Sequence, residues 1–161
     1  MTDTDQELVI RPATVHDFSG LLDLNRQLIE NDVLSDEGRQ LQTFKQMLAH
    51  PGLTILLALK DQKPVATCLL VIVPNLTRGC ASFAIIENVV THSDWRGKGI
   101  GRVLLDNAIE RAFSHGCFKV MLQSGAANEK AHRFYERLGF SNTKVGYELR
   151  APGYPARKLS R

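Results

Sequence analysis

Residues 96–102 read Arg96-Gly97-Lys98-Gly99-Ile100-Gly101-Arg102, three alternating glycines interleaved with three cations. Glycine carries no Cβ, so a turn of this kind lets the backbone approach a ligand closely and adopt left-handed conformations. An apolar run precedes the turn and a helical pattern follows it, so the first N–H groups of that helix lack carbonyl partners. Those amides, the positive end of the helix dipole and the charges of Arg96, Lys98 and Arg102 form a natural seat for a pyrophosphate. Two commoner phosphate loops do not fit. The dinucleotide fingerprint fails because Arg102 stands where GxGxxG requires glycine, and no acidic residue ends a strand about 20 positions on. The P-loop fails because no Lys-Ser/Thr pair closes the motif, leaving no magnesium ligand.

The elements on either side must hold this turn in place. Residues 8–11 alternate like a short strand, and Thr14 and Asp17 open a helix reaching about Glu30. A second helix spans 37–49 and stops at His50-Pro51-Gly52. The runs 53–59 and 64–73 flank Asp61-Gln62-Lys63 at hairpin spacing, and 81–91 is a third long strand. Helical periodicity then covers 102–115, with Gly116 as its cap, followed by a strand at 119–123. Ala131, Phe134, Tyr135 and Leu138 mark a short helix closed by Gly139, and a last strand is expected over 143–149. Antiparallel strands leading into a strand-helix-strand crossover predict an α/β (α+β) domain with a mixed sheet.

Composition narrows the class. A chain of 161 residues that is 43% hydrophobic suits one domain over 1–161, with the polar ends 1–7 and 151–161 expected to be mobile. The acidic start lacks the pattern of a signal peptide, and the longest apolar stretch, 65–73, is far short of a membrane span, so a cytoplasmic protein is expected. Cys68, Cys80 and Cys117 are odd in number and lack CxxC spacing, which argues against a disulfide framework and a metal site. The net charge of +3 does not by itself indicate nucleic acid, and the basic tail residues Arg157, Lys158 and Arg161 have no stacking platform beside them.

At a strand-to-helix junction, Arg96-x-x-Gly99-x-Gly101 resembles the R/Q-x-x-G-x-G/A coenzyme-A signature of the GNAT superfamily of N-acetyltransferases. Ile86-Glu87-Asn88-Val89-Val90 before it, and Asn128 with Phe134-Tyr135-Glu136-Arg137-Leu138-Gly139-Phe140 after it, are similar to neighbouring family motifs in order and spacing. The resemblance implies a mostly antiparallel sheet with helices on both faces and a splayed strand pair. Acetyl-CoA is then the cosubstrate, its pyrophosphate on the amides of 96–102 (Arg96, Gly97, Lys98, Gly99, Ile100, Gly101, Arg102). Its pantetheine arm pairs with backbone around Val89 and Val90, where one N–H polarises the thioester carbonyl. Asn128 also contacts the cofactor. Homodimers are common in the family.

Acetylation needs a neutral amine, so a base must take a proton. Glu87, an acid in an apolar run, fits that role if part-buried with a raised pKa; it acts directly, through water, or only binds substrate. Tyr135 resembles the family's general acid, returning a proton to the departing thiolate, although its place on the apolar stripe also suits packing. His92, following the cofactor strand, is a candidate for proton relay. The acceptor expected is a small-molecule primary amine met by loops 31–36 and 74–82 and by the region of Tyr147 and Arg150. Similarity of 87–90, 116–119 and 139–142 to glucosamine-6-phosphate N-acetyltransferases adds an amino sugar phosphate to the options, although Asn88 and Gln123 replace acids usual there. A different class, an acyl-CoA-binding sensor that does not turn over, shares the same turn; Glu87 and Tyr135 speak against it.

Overall fold

Two long apolar runs form the middle of the sheet. In the computed structural model, which describes residues 7–30 and 32–154, β2 (Leu53–Lys60) and β3 (Lys63–Val73) pair antiparallel. Asp61 and Gln62 join them at φ of 50° and 63°, the left-handed pair that a two-residue hairpin loop demands. β1 (Val9–Pro12) lies antiparallel beside β2, and β4 (Phe83–Thr91) antiparallel beside β3. β5 (Val120–Leu122) joins β4 in parallel, giving the order β1-β2-β3-β4-β5. A parallel pair needs a crossover, and α4 (Ile100–Ser114) makes it. A single turn, α3 (Thr77–Cys80), interrupts the chain between β3 and β4.

The pleat sorts the core onto two faces. Ile55, Leu57 and Leu59 of β2 pack with Leu21 of α1 (Phe18–Leu28) and Phe44 of α2 (Glu37–Ala49) in one buried cluster. Leu56 and Ala58, alternating with them, are fully buried on the opposite face, where α4 packs against β2, β3 and β4. Helices therefore cover both sides, as the resemblance implies. The first helix starts later than expected, because a 3-10 turn at Val15–Asp17 precedes it. There Asp17 accepts from the Thr14 N–H at 2.7 Å and the Thr14 hydroxyl at 3.0 Å, and from both Arg11 guanidinium nitrogens at 2.7 and 2.9 Å. Gly116, at φ 76°, closes α4 in a Schellman motif: its N–H donates to Phe113 O and that of Cys117 to Ala112 O.

After Leu122 the chain enters a second compact unit beginning at Gln123. Its helix α5 (Glu129–Arg137) is followed by Gly139 at φ 93°. The strand expected over 143–149 is not formed. Val145, Tyr147 and Leu149 do alternate, yet all three are exposed; an alternating pattern becomes a strand only when a neighbour supplies the ladder. The ends expected to be mobile, 1–7 and 151–161, fall outside the described residues except for Glu7 and residues 151–154, and Asn31 falls outside as well. Among the described residues no helix is long and apolar enough to cross a membrane.

Candidate active site

The site grows from an irregularity in β4. In its register with β3, Leu69 faces Glu87 and Thr67 faces Val90, so Cys68 stands against both Asn88 and Val89. Two residues against one make a β-bulge, and Asn88 absorbs it at φ 50°, a conformation Asn tolerates better than most residues. On the other side, pairing with β5 ends at Ile86↔Leu122, whereas β4 runs on to Thr91. The His92 N–H donates to Val65 O of β3 at 2.8 Å. Alternation back from His92 turns the peptide groups of Val90 toward β3, and those of Val89 and Thr91 toward the edge that β5 has left. Arg96 Nε donates to Thr91 O at 3.0 Å on this edge. Val89 thus presents a backbone donor and acceptor that an extended ligand can pair with as an added strand.

The same strand leads into the glycine turn. Gly97 and Gly99 have φ of 73° and 79°, and a Cβ at either would meet nothing within 4 Å. Glycine is needed there for its backbone conformation, and the space beside the turn is open. α4 begins at Ile100, earlier than the expected Arg102. The first intrahelical bond is Val103 N–H to Gly99 O at 3.2 Å, which leaves the amides of Ile100, Gly101 and Arg102 without helical acceptors. These donors and the helix dipole fit a diphosphate. The three cations already have partners: Arg96 on Thr91 O, Lys98 Nζ 4.6 Å above the Trp95 ring, and Arg102 Nε 3.6 Å from Asp106 Oδ2. The last is an exposed helical pair of small worth, readily exchanged for a stronger anion.

Two residues brace the 3-10 turn at Ser93–Trp95 that precedes the glycines. His92 Nδ1 accepts from the Asp94 N–H at 3.2 Å, a capping use of the histidine singled out for proton relay. Gln27 Oε1 of α1 accepts from the Ser93 N–H at 2.8 Å. Nothing in the sequence pointed to Gln27, because the contact joins residues 66 positions apart.

Glu87 stands opposite Leu69 in the register, so both project from the face that carries α1 and α2. Contrary to expectation, Glu87 is exposed, not part-buried. An apolar run records which neighbours are covered, and here cover is missing. A cavity of about 500 Å3 opens on this face between α1, α2 and the strands, with Thr67, Leu69 and Asn88 in its wall. Of the loops expected to meet the acceptor, residues 32–35 line the cavity and 74–82 do not.

The remaining predicted residues lie in the second unit. Asn128 caps α5, its Oδ1 accepting from the Ala131 N–H at 3.1 Å. Tyr135 is half-buried, with ring centroids 5.3 Å from Phe134 and 6.1 Å from Phe140. Its ring is thereby fixed by packing within its own unit.

An open strand edge leading directly into a helix terminus with three amides free of helical acceptors is the layout of a protein that takes a long, phosphorylated ligand. The acetyltransferase (GNAT) family profile matches residues 21–140, and the chain belongs to that family as a GNAT N-acetyltransferase. Members use acetyl-CoA as cosubstrate. The chain is 45% identical to a putative acetyltransferase from Agrobacterium tumefaciens str. C58, whose solved structure matches with a TM-score of 0.86 over 89% of this chain and 99% of that one. It is 34% identical over 136 residues to the glucosamine 6-phosphate N-acetyltransferase of Trypanosoma brucei brucei, covering 83% of this chain and 89% of that protein. The structure of glucosamine-6-phosphate N-acetyltransferase from Arabidopsis thaliana matches at 26% identity and a TM-score of 0.78, over 89% of this chain and 98% of that one.

Proposed function

We propose that this chain transfers the acetyl group of acetyl-CoA to the primary amine of a small molecule by direct attack of the amine on the thioester. The observation that carries the reading is the continuity of the Val89 edge with the free amides of Ile100, Gly101 and Arg102. Those amides, with Arg96, Gly97, Lys98 and Gly99, hold the diphosphate, and backbone at Val89 and Val90 aligns the pantetheine arm. Bound acetyl-CoA supplies the activated acyl carbon. A strand N–H at the bulge steadies the oxyanion that forms when the amine attacks. Glu87, exposed beside the cavity, takes the amine's proton directly or through water, and Tyr135 returns one to the thiolate. Asn128 contacts the cosubstrate as well as capping its helix. The protein acts as one catalytic domain, in the cytoplasm, as a homodimer. The names of its relatives make an amino sugar phosphate one acceptor to assay.

Purified protein with acetyl-CoA and a panel of primary amines should release CoA thiol and yield N-acetylated product by mass spectrometry. Acetyl-CoA binding without thiol release on any amine would replace this reading with that of an acyl-CoA sensor. Absence of acetyl-CoA binding would remove both.

A further inference from the structure

The cavity beside the bulge carries chemistry of its own. Its floor is apolar: Phe18 and Leu21 of α1, Phe44 and Met47 of α2, and Leu69 of β3. The Phe18 and Phe44 rings lie 5.4 Å apart at 33°, a wall suited to a third aromatic ring. Four charged residues stand at the exposed rim, Arg26 and Arg39 against Glu30 and Asp32, so their charges cancel. A phosphate ester needs convergent cations in excess, and the described rim residues offer no such excess. An uncharged apolar body suits it better: the floor takes that body, and the rim sets no net charge against it. The volume of about 500 Å3 lies in the range of small-ligand pockets. Asn88 in the wall and Glu87 on the same face put the amine end at the bulge.

Resting on the acetyltransferase reading above, the geometry points to a specific acceptor class: primary amines on an uncharged apolar body, arylalkylamines foremost, seated between α1 and α2. The test compares kcat/KM for phenethylamine, hexylamine and glucosamine 6-phosphate at saturating acetyl-CoA. Phenethylamine should exceed glucosamine 6-phosphate by about tenfold or more, with hexylamine between them. Met47→Gln, close to isosteric, should raise KM for phenethylamine by about tenfold and leave the Kd for acetyl-CoA unchanged. Should that variant not fold, Thr43→Trp fills the same cavity from an exposed position and should raise KM likewise. Preference for glucosamine 6-phosphate, or an unmoved KM in the folded variants, overturns the acceptor class while leaving acetyl transfer standing. Failure of every amine to release CoA from a protein that binds acetyl-CoA overturns the transferase reading and this inference with it.

Discussion

Gly99 separates backbone strain from charge at the helix terminus. It sits at φ 79°, and a Cβ there meets nothing within 4 Å. Gly99→Ala therefore introduces no clash, only the left-handed penalty of about 1–2 kcal/mol, lowering Tm by about 2–8 °C for a chain of this size. Gly99→Asp carries the same strain and adds a carboxylate beside the amides of residues 100–102. At about 5 Å from each of two diphosphate charges and an effective dielectric of about 40, repulsion amounts to about 3 kcal/mol. The Kd for acetyl-CoA should rise at least about a hundredfold by that figure. Calorimetric titration of both variants at about 50 and about 500 mM salt reads it directly, because the charge component shrinks with screening while the strain component does not. Equal losses of affinity in Gly99→Ala and Gly99→Asp, or a Gly99→Asp loss insensitive to salt, would refute the placement of the diphosphate beside Gly99.

Three further outcomes follow from the same geometry. The Asp17 carboxyl is held down at about 2, first by the hydrogen bonds of the Arg11 guanidinium and then by Thr14. A folded value below the unfolded one stabilises by about 2 kcal/mol above about pH 5, a contribution lost as pH falls toward 2. Asp17→Asn should thus lower urea stability by about that amount at neutral pH, with the gap to wild type narrowing in acid; a pH-independent gap would contradict the ion-pair account. Burial pushes the Cys68 thiol up to about 12 and also raises Cys117, whereas Cys80 is exposed. Ellman's reagent should therefore find one fast thiol in the native protein, absent in Cys80→Ser; an unchanged fast phase in that variant would place the reactive thiol elsewhere. Tyr135→Phe and Glu87→Gln should each slow turnover by about a hundredfold with the Kd for acetyl-CoA unchanged. A variant that turns over at the wild-type rate would return its residue to packing or to substrate contact.

Much of this was readable from residues alone. The bounds of α2, the hairpin between β2 and β3, the Gly116 cap and the glycine turn before α4 are local features, set by backbone preferences within a few residues. Family membership followed from the same source, because motif spacing is written in one dimension. The strand expected over 143–149 failed, since side-chain alternation cannot supply a pairing partner. Glu87 failed in burial for a related reason: its apolar neighbours in sequence are not its neighbours across the face. The bulge at Asn88, the Gln27 brace under Ser93 and the cavity between α1 and α2 arise only when distant segments meet. Local composition chose the pieces and the glycine turn before α4, while long-range packing, which alone decides what is covered and what stays open, made the cavity between α1 and α2.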